Sequence, residues 1–476
     1  MLWFALILPD LPLQAFTRGV DDPGALAVVG HLPRAHVVAA SPRARALGVE
    51  PGSSLAGALA VAPDLQLRDR DPALETATLE EFATWAGQFT PCVSLDPPDA
   101  IVLEVSASLR LFDGADALAQ RLQQAIPELG LHSALAAAPT PLAARWLART
   151  RPGTLIQPAT AWTQALDALP ATLLADGGTV TPATLELLHG IGVHRLADAA
   201  RLPRDGLARR QAGTVADTLA RADGETPDPR RWFVPPERFK SRLVLPASIA
   251  HTEPLLFAAR RLFSGLAAWL AARHAALDRC CLVLEHDDQP ETRLEIVTGR
   301  PGRDEGRLAM LAREHLAALP LPAPVEALRL SSGVPIALPG STPDLFGDPD
   351  SARDSAALLL DRLRARLGPD AVHTVLPVAE HRPERAWRAA APGTAAIRAA
   401  DTPGPRPLWL IDEPRALDSI RALTLLAGPE RIESGWWDGA DVRRDYYVAR
   451  TPDAALWWVF ERLDPPGGWY LHGYFG

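Results

Sequence analysis

The apolar run at the N-terminus constrains the fold more than any other stretch of this 476-residue chain. Residues 2–8 are all apolar and show no alternation with polar side chains. A short continuous run of this kind predicts a strand that is buried on both faces, in the centre of a sheet. Pro9 ends the run and Asp10 follows at once. A carboxylate at a strand end can hold a metal ion, or it can simply begin a turn.

Composition and charge narrow the classes of function. The length predicts about three to five domains. The three cysteines (Cys92, Cys280 and Cys281) form neither a disulfide framework nor a CxxC zinc pattern. The net charge of −9 argues against bulk electrostatic attraction to DNA, so any DNA contact requires a local basic patch.

The N-terminal run does not have the pattern of a signal peptide. No basic residue precedes it, and no small-residue cleavage site follows it. No other uninterrupted apolar span in the sequence is long enough to cross a bilayer. We therefore expect a soluble, cytoplasmic protein.

A second acidic residue stands directly before a second apolar run. Asp99 precedes Ala100, and residues 101–105 predict a buried strand. Two carboxylates at strand ends, from distant parts of the chain, can share one metal site.

Several spaced motifs resemble those of the Y-family translesion DNA polymerases. Residues 41–52 match the family's fingers motif through Ser41, Ala44, Arg45, Gly48, Val49 and Gly52. Residues 99–105 fall on its D-E-A-F-L-D-V segment, and residues 138–145 fall on its A-x-N-K-x-L-A-K segment. The resemblance covers roughly residues 1–338 and implies an α+β multidomain fold. It assigns these parts: palm, 1–24 and 75–165; fingers, 25–74; thumb, 166–236; little finger, 238–338.

The resemblance also shows what is missing from the family's catalytic positions. Asp10, Asp99 and Arg45 match functional residues. Four other positions lack the family's functional group. The second metal-binding Asp falls on Pro12 and the Glu falls on Ala100. The fingers Tyr falls on Pro42, and the Lys falls on Pro141. Two-metal phosphoryl transfer needs several anionic oxygens around ions that are about 4 Å apart. The resemblance therefore implies a polymerase shape without catalysis, metal or other cofactor.

Two alternative interpretations retain the polymerase activity. An active Y-family polymerase would use Asp10 and Asp99 with Mg²⁺. If the alignment is shifted by a residue or two, a different carboxylate takes over: Asp96, Glu104 or Asp113.

Two later segments predict contacts with DNA. Gly190, Ile191 and Gly192 separate two helical stretches and resemble the helix-hairpin-helix of the family's thumb. Their backbone amides and the nearby Arg195 are expected to bind phosphate groups, although a plain turn is the alternative. Residues 239–330 predict the element order βαββαβ, which resembles the family's little finger. The first predicted strand of this segment carries Lys240 and Arg242, which are expected to contact DNA.

Residues 339–404 depart from the polymerase pattern. The segment Thr342-Pro-Asp344-Leu345-Phe346 partially resembles a sliding-clamp-binding peptide, and an ordinary linker is the alternative. Residues 351–367 predict an amphipathic helix. Residues 381–404 are rich in Pro and Ala and predict an irregular tether.

The last region, residues 405–476, holds all four tyrosines of the chain and several tryptophans. Strands are predicted at 445–450, 456–461 and 469–475. The rings either fill a thin core or act as anchors for a partner. We predict partner contacts by six of them: Trp436, Trp437, Tyr446, Tyr447, Trp469 and Tyr470.

Residues 433–450 and 469–475 of the tail, together with the order of the preceding segments, resemble the polymerase-like family of the bacterial ImuA–ImuB mutagenesis cassette. That resemblance implies a non-catalytic adaptor in SOS-induced translesion synthesis and mutagenesis. Its implied partners are damaged primer–template DNA, the sliding clamp, ImuA and an error-prone C-family DNA polymerase. It also implies association with the nucleoid after DNA damage.

Overall fold

The structure of the chain is a computed structural model that describes residues 1–31, 33–158, 162–338, 350–392, 394 and 404–476. The chain divides into two compact units, Met1–Arg366 and Leu367–Gly476.

The first unit begins with the predicted strand β1 (Trp3–Ile7), whose five residues are all buried. Helix α1 (Leu11–Thr17) follows and begins after Asp10, which has a left-handed backbone conformation. A small module comes next: β2 (Leu26–Gly30), β3 (His36–Ala40), α2 (Pro42–Ala46), α3 (Leu55–Val61) and β4 (Gln66–Asp69). Its sheet has the order β3-β2-β4. Ser41 caps α2 by accepting a hydrogen bond from the Ala44 amide.

The sheet that contains β1 is completed by the elements that follow: α4 (Pro72–Ala86), β5 (Val93–Asp96), β6 (Ala100–Glu104), α5 (Ala115–Ala125), β7 (Ala134–Ala138) and α6 (Pro141–Thr150). Its order is β5-β6-β1-β7, so the predicted central position of β1 is confirmed. Phe4 and Leu6 pack in a core with residues of α4 and α5. Trp3, Ala5 and Ile7 pack in a second core with residues of α6. The unbroken apolar run thus serves two cores, one on each face of the sheet.

A helical segment follows, made of α7 (Gln164–Asp167), α8 (Pro182–Gly190), α9 (Leu196–Ala200), α10 (Arg204–Arg209) and α11 (Gly213–Asp223). Helices α8 and α9 form the predicted helix-hairpin-helix. The sequence analysis did not predict the second pair, α10 and α11. Leu188, Leu207 and Val215 join the core that contains Trp146 of α6, so these helices pack against the sheet through α6.

The predicted βαββαβ pattern is confirmed by the next elements: β8 (Lys240–Ile249), α12 (Thr252–Ala272), β9 (Ala275–His286), β10 (Thr292–Gly302), α13 (Glu305–Ala318) and β11 (Val325–Ser332). The sheet order is β10-β9-β11-β8, and a short strand, β12 (Ile336–Ala337), pairs with β9. Helix α12 is long and apolar enough to span a membrane, but 61% of its most apolar window is buried within the fold. Helix α14 (Asp350–Leu367) follows, close to the predicted bounds.

The second unit is mainly β-structure: β13 (Thr374–Pro377), β14 (Trp387–Ala390), β15 (Trp409–Leu417), β16 (Thr424–Ser434), β17 (Val442–Arg450), β18 (Leu456–Arg462) and β19 (Gly468–Tyr474). Strands β15–β19 form one sheet of order β15-β19-β18-β17-β16. The last three strands were predicted. The prediction of an irregular stretch from residue 381 is wrong for β14, which pairs with β13.

Candidate functional site

The two acidic residues singled out in the sequence lie at the same edge of the central sheet. Strands β1 and β6 are antiparallel, with Ile7 opposite Ala100. Asp10 follows the end of β1, and Asp99 precedes the start of β6. The Leu8 amide donates to the Asp99 carbonyl at 2.7 Å, which continues the pairing to this edge. The strand register therefore explains how residues distant in sequence approach one another.

Asp10 is paired with the arginine of the fingers motif. Its Oδ2 lies 2.6 Å from Nη2 of Arg45, and both side chains are partly exposed. Arg45 is further fixed because its Nε donates to the Ala40 carbonyl at 3.1 Å. This arginine is the residue that the family resemblance assigns to the nucleotide site, and here its guanidinium group binds the first carboxylate.

Asp99 is paired with an arginine of α6. Arg149 donates to both carboxylate oxygens of Asp99, with Nη1–Oδ2 and Nη2–Oδ1 distances of 3.0 and 2.7 Å. Its Nε also lies 2.9 Å from Oδ1 of Asp176. Burial lowers the pKa of Arg149, but its hydrogen bonds to the two carboxylates outweigh that effect and raise the pKa above the usual value. Arg149 is therefore a permanent cation at this edge.

A second arginine of α6 forms further ion pairs, closer to the interior of the protein. Arg145 is almost completely buried, and its Nη1 and Nη2 lie 2.8 Å from Asp96 and 2.9 Å from Asp176. Asp96 also contacts Arg230 at 3.1 Å, and Arg230 contacts Asp228 at 2.6 Å. We call this set of seven residues the palm ion-pair network: Asp96, Asp99, Arg145, Arg149, Asp176, Asp228 and Arg230.

Sequence reasoning singled out Asp99 and included Arg145 in a motif, but it missed the central role of Arg149. The network joins the end of β5, helix α6, the segment before α8 and the segment before β8. Its members come from four separate stretches of the sequence, 96–99, 145–149, 176 and 228–230, so no local pattern connects all of them. One available signal was the spacing of Arg145 and Arg149, which lie four residues apart and therefore on the same face of α6.

The other predicted nucleotide-site positions have structural roles and no donor atoms suited to a metal. Pro12, Pro42 and Pro141 lie in the first turns of α1, α2 and α6, where proline is favoured. Ala100 is completely buried in β6. Within the described parts of the chain, no group of three or more His, Cys, Asp or Glu is placed to hold a metal ion. The residues present do not fit the Mg²⁺ site of the polymerase alternative.

The carboxylates of a shifted alignment do not complete such a site either. Asp96 belongs to the palm ion-pair network. Glu104 lies at the opposite end of β6, where it is paired with Trp3 in the strand register. Asp113 lies 3.7 Å from Arg121, beyond that same end of the strand.

The helix-hairpin-helix departs from its expected geometry. The amides of Ile191, Gly192 and Val193 donate to carbonyl groups of α8, within the hairpin. The amides of His194 and Arg195 donate to the Asp198 carboxylate, at 3.3 and 3.0 Å. The amides of Ile191 and Gly192 are therefore occupied within the hairpin in this structure, and the phosphate contact of Gly190, Ile191 and Gly192 stays a prediction. These residues and the Arg195 side chain are nevertheless exposed.

The predicted DNA contacts of the little-finger-like sheet lie on one exposed face. Lys240 and Arg242 are both exposed on β8. Arg242 forms an ion pair with Glu285 of β9, at 2.7 Å.

In the second unit, the most exposed predicted anchors lie in the turn between β16 and β17. Trp436 and Trp437 are 78% and 58% exposed, and their rings contact each other edge to face. Leu408 and Trp409 are exposed as well, and the sequence analysis did not single them out.

A buried arginine fixes this turn. Arg382 is 2% exposed and donates to both carboxylate oxygens of Asp438, at 3.0 and 2.7 Å. It also lies over the Trp437 ring and forms an ion pair with Glu380. Hydrogen bonds from Arg382 lower the pKa of both carboxyl groups, Glu380 and Asp438, to about 2. The turn that displays the two tryptophans is thus held by charge-assisted hydrogen bonds.

Tyr446 is not a surface anchor. Its ring is buried and stacks on Trp458 with centroids 4.1 Å apart. The prediction of a partner contact is therefore wrong for Tyr446, because the thin sheet needs its ring in the core. Tyr447 and Trp469 contact each other, and Tyr470 stacks on Phe460. The three predicted anchors among them, Tyr447, Trp469 and Tyr470, are partly buried.

The predicted clamp-binding residues lie outside the described residues. They are Thr342, Asp344, Leu345 and Phe346.

Comparison with known proteins identifies similar sequences. Residues 21–149 match the impB/mucB/samB family. Protein ImuB of Caulobacter vibrioides, strains NA1000 / CB15N and ATCC 19089 / CIP 103742 / CB 15, is 29% identical over 463 residues, which are 90% of this chain and 100% of the relative.

Two solved structures show a weak similarity to this chain. A Dbh ternary complex is 16% identical, with a TM-score of 0.41, and DinB from Sulfolobus solfataricus is 17% identical, with a TM-score of 0.40. Each comparison covers 71% of this chain and 100% of the other. The chain is therefore similar to the impB/mucB/samB family over residues 21–149 and to protein ImuB over nine-tenths of its length.

Proposed function

We propose that the chain is a non-catalytic adaptor in SOS-induced translesion DNA synthesis and mutagenesis. It binds damaged primer–template DNA and links the sliding clamp, ImuA and an error-prone C-family DNA polymerase. It acts in the cytoplasm, on the nucleoid after DNA damage. The observation that carries this proposal is the pairing of both remaining carboxylates, Asp10 and Asp99, with arginine side chains.

The ion pairs oppose metal-dependent catalysis. A divalent cation at this edge would have to displace Arg45 from Asp10 and Arg149 from Asp99. Displacing Arg149 would leave its charge beside an incoming cation, in a partly buried setting where repulsion is poorly screened. Loss of even one group that stabilises the transition state often costs on the order of a hundredfold in rate. Pro12 and Ala100 supply no replacement ligands.

The second unit supports the adaptor role. Large aromatic side chains dominate the binding energy of many protein interfaces, and Trp436 and Trp437 form an exposed pair. Arg382 holds their turn through Asp438, so little conformational entropy is lost when a partner binds. A rigid aromatic pair of this kind suits capture of a partner protein.

The alternative function is an active Y-family polymerase. The approach of Asp10 and Asp99 to one sheet edge is the observation that favours it. Primer extension in Mg²⁺ or Mn²⁺ separates the two functions, because only the alternative incorporates nucleotides.

The adaptor role is tested by a bridging assay on immobilised, lesion-containing primer–template DNA. The proposal predicts that the C-family polymerase and ImuA are retained only when this protein is present. A Trp436→Ala, Trp437→Ala double variant should keep its own DNA binding but retain less of either partner. Leu425→Ala with Leu426→Ala, another exposed apolar pair of the same unit, is the matched control. Equal retention by the tryptophan variant and the wild-type protein would contradict this assignment of the surface.

A further inference from the structure

A row of arginines crosses the exposed face of the little-finger-like sheet. Arg242 of β8 lies opposite Arg329 of β11. Arg329 lies opposite Val283 of β9, which in turn lies opposite Arg293 of β10. The three arginines therefore lie on one line across four strands, and we call them the arginine row. Neighbouring strands are about 4.8 Å apart, so the row is a compact cationic strip.

Two glutamates are interleaved with this row. Glu285 lies 2.7 Å from Nη2 of Arg242 and 3.6 Å from Nη1 of Arg329. Glu291 lies 2.7 Å from Nη2 of Arg329 and 3.2 Å from Nη2 of Arg293. The order along the strip is thus arginine, glutamate, arginine, glutamate, arginine. The five side chains carry a net charge of only one.

The glutamates occupy the groups that recognise phosphate. Guanidinium forks bind carboxylates and phosphates through the same paired hydrogen bonds. In Arg242, both Nε and Nη2 are engaged by Glu285. The hydrogen bond from Arg329 lowers the pKa of Glu291, so this competitor stays anionic well below neutral pH. A phosphate that approaches the row must displace a carboxylate that is already in place.

We infer that Glu285 and Glu291 are intramolecular competitors of DNA phosphates and keep the affinity of this face for DNA low. The inference rests on the proposed DNA contact of the little-finger-like sheet. The competition would regulate that contact. By itself, the face binds the duplex backbone weakly. It engages the backbone when another contact, such as a tethered partner, raises the local DNA concentration. The pairs are at least partly exposed to solvent, so their exchange for phosphates needs no unfolding.

The expected effect follows from counterion release. Each additional phosphate neutralised adds about 0.9 to the slope of log affinity against log salt concentration for duplex DNA. A Glu285→Gln, Glu291→Gln double variant frees three guanidinium groups and removes two negative charges. It should bind a duplex about tenfold more tightly at low salt, with a steeper salt dependence, and the gain should shrink at high salt.

The experiment measures fluorescence anisotropy of a labelled 20-base-pair duplex with the full chain at several salt concentrations. The matched control is Glu253→Gln with Glu314→Gln, which removes two glutamates that pair with arginines on the helical layer of the same domain. The control should change affinity far less than the test variant. Thermal unfolding of each variant confirms that the domain remains folded.

A second variant separates the inference from the proposed function. Arg242→Ala, Arg293→Ala and Arg329→Ala together should abolish the tenfold gain when they are combined with the glutamine pair. If these alanines weaken binding but the glutamine pair changes nothing beyond the control, the competition is disproved and the DNA contact stands. If the alanines have no effect in either background, the face is not the DNA-binding surface, and both the inference and that part of the proposed function fail.

Discussion

Arg149 donates hydrogen bonds to both carboxylate oxygens of Asp99, at the edge of the sheet where the polymerase resemblance places a metal-binding residue. The cation that balances the charge of Asp99 is therefore a side chain of the protein itself. The same helix supplies Arg145 to Asp96, so α6 links the sheet to the segments that follow it.

This relationship predicts a measurable coupling energy. Asp99→Asn and Arg149→Gln should each lower the free energy of unfolding by about 1–2 kcal/mol, because each removes the paired, charge-assisted hydrogen bonds between two partly buried groups. The double variant should lose less than the sum, with a coupling of about 1 kcal/mol. Urea unfolding of the four proteins measures it. The exposed pair Asp113–Arg121, with a separation of 3.7 Å, is the control and should show little coupling. Strict additivity for Asp99 and Arg149 would contradict the prediction.

A second prediction concerns the turn that displays the tryptophan pair. Arg382→Gln should reduce retention of a partner about as much as Trp436→Ala does, although both rings remain present. The reason is that Asp438 loses the buried guanidinium that fixes the turn. Arg385→Gln is the matched control, since Arg385 also contacts Asp438, at 2.6 Å, but is half exposed. Hydrogen exchange of residues 435–440 reports the loosening directly. Unchanged exchange together with unchanged retention would show that Arg382 has no such role.

A third prediction is a loss of stability of the second unit in acid. His472 is completely buried, and its Nδ1 lies 2.8 Å from the Tyr446 hydroxyl. Arg444 donates to the same hydroxyl oxygen, at 3.0 Å. Burial lowers the pKa of His472 to about 4. The unfolded chain, with a His pKa of about 6.5, binds a proton first as the pH falls.

Stability should therefore be constant above about pH 6.5 and should fall by up to about 3 kcal/mol as the pH approaches 4. Pulse-labelled hydrogen exchange of β17–β19 across a urea series, repeated at several pH values, measures this change. His472→Gln keeps a side chain that can form a hydrogen bond with Tyr446 but does not titrate, so the stability of this variant should vary less over that pH range. An equal pH dependence in the two proteins would assign the effect to other groups.

A fourth prediction concerns the proposed clamp contact. Leu345→Ala with Phe346→Ala should abolish co-elution with the sliding clamp, because two apolar anchors supply most of the binding energy of such peptides. Leu359→Ala with Leu363→Ala, which alters two exposed leucines of α14, is the control. Continued co-elution of the Leu345/Phe346 variant would leave the segment as a linker.

Much of the fold follows from local patterns. The apolar run of β1, the capping Ser41 and the βαββαβ order all depend on neighbours in sequence, and the structure contains each of them. Strands β15 and β16 were missed. They contain Pro414 and the Gly428–Pro429 step, and β16 pairs with β17 through two register shifts, so the alternation that marks a strand is broken.

The candidate site was less predictable for a different reason. The sequence placed Asp10 and Asp99 at strand ends, but their arginine partners come from other elements. Asp99 and Arg149 are separated by fifty residues, and only the packing of α6 beneath the sheet brings them together. Burial of Tyr446 likewise depends on the register of β17 against β18, which the number of aromatic residues does not determine.

Primer extension tests most directly whether the chain keeps the polymerase shape without the chemistry. Purified protein at enzyme excess is incubated with a primed template, all four deoxynucleotides and either Mg²⁺ or Mn²⁺. We expect no extension above that of a preparation carrying Asp10→Ala and Asp99→Ala, purified in parallel to reveal any contaminating polymerase. Extension by the wild-type protein that disappears in the Asp99→Ala variant would contradict the account and establish an active polymerase.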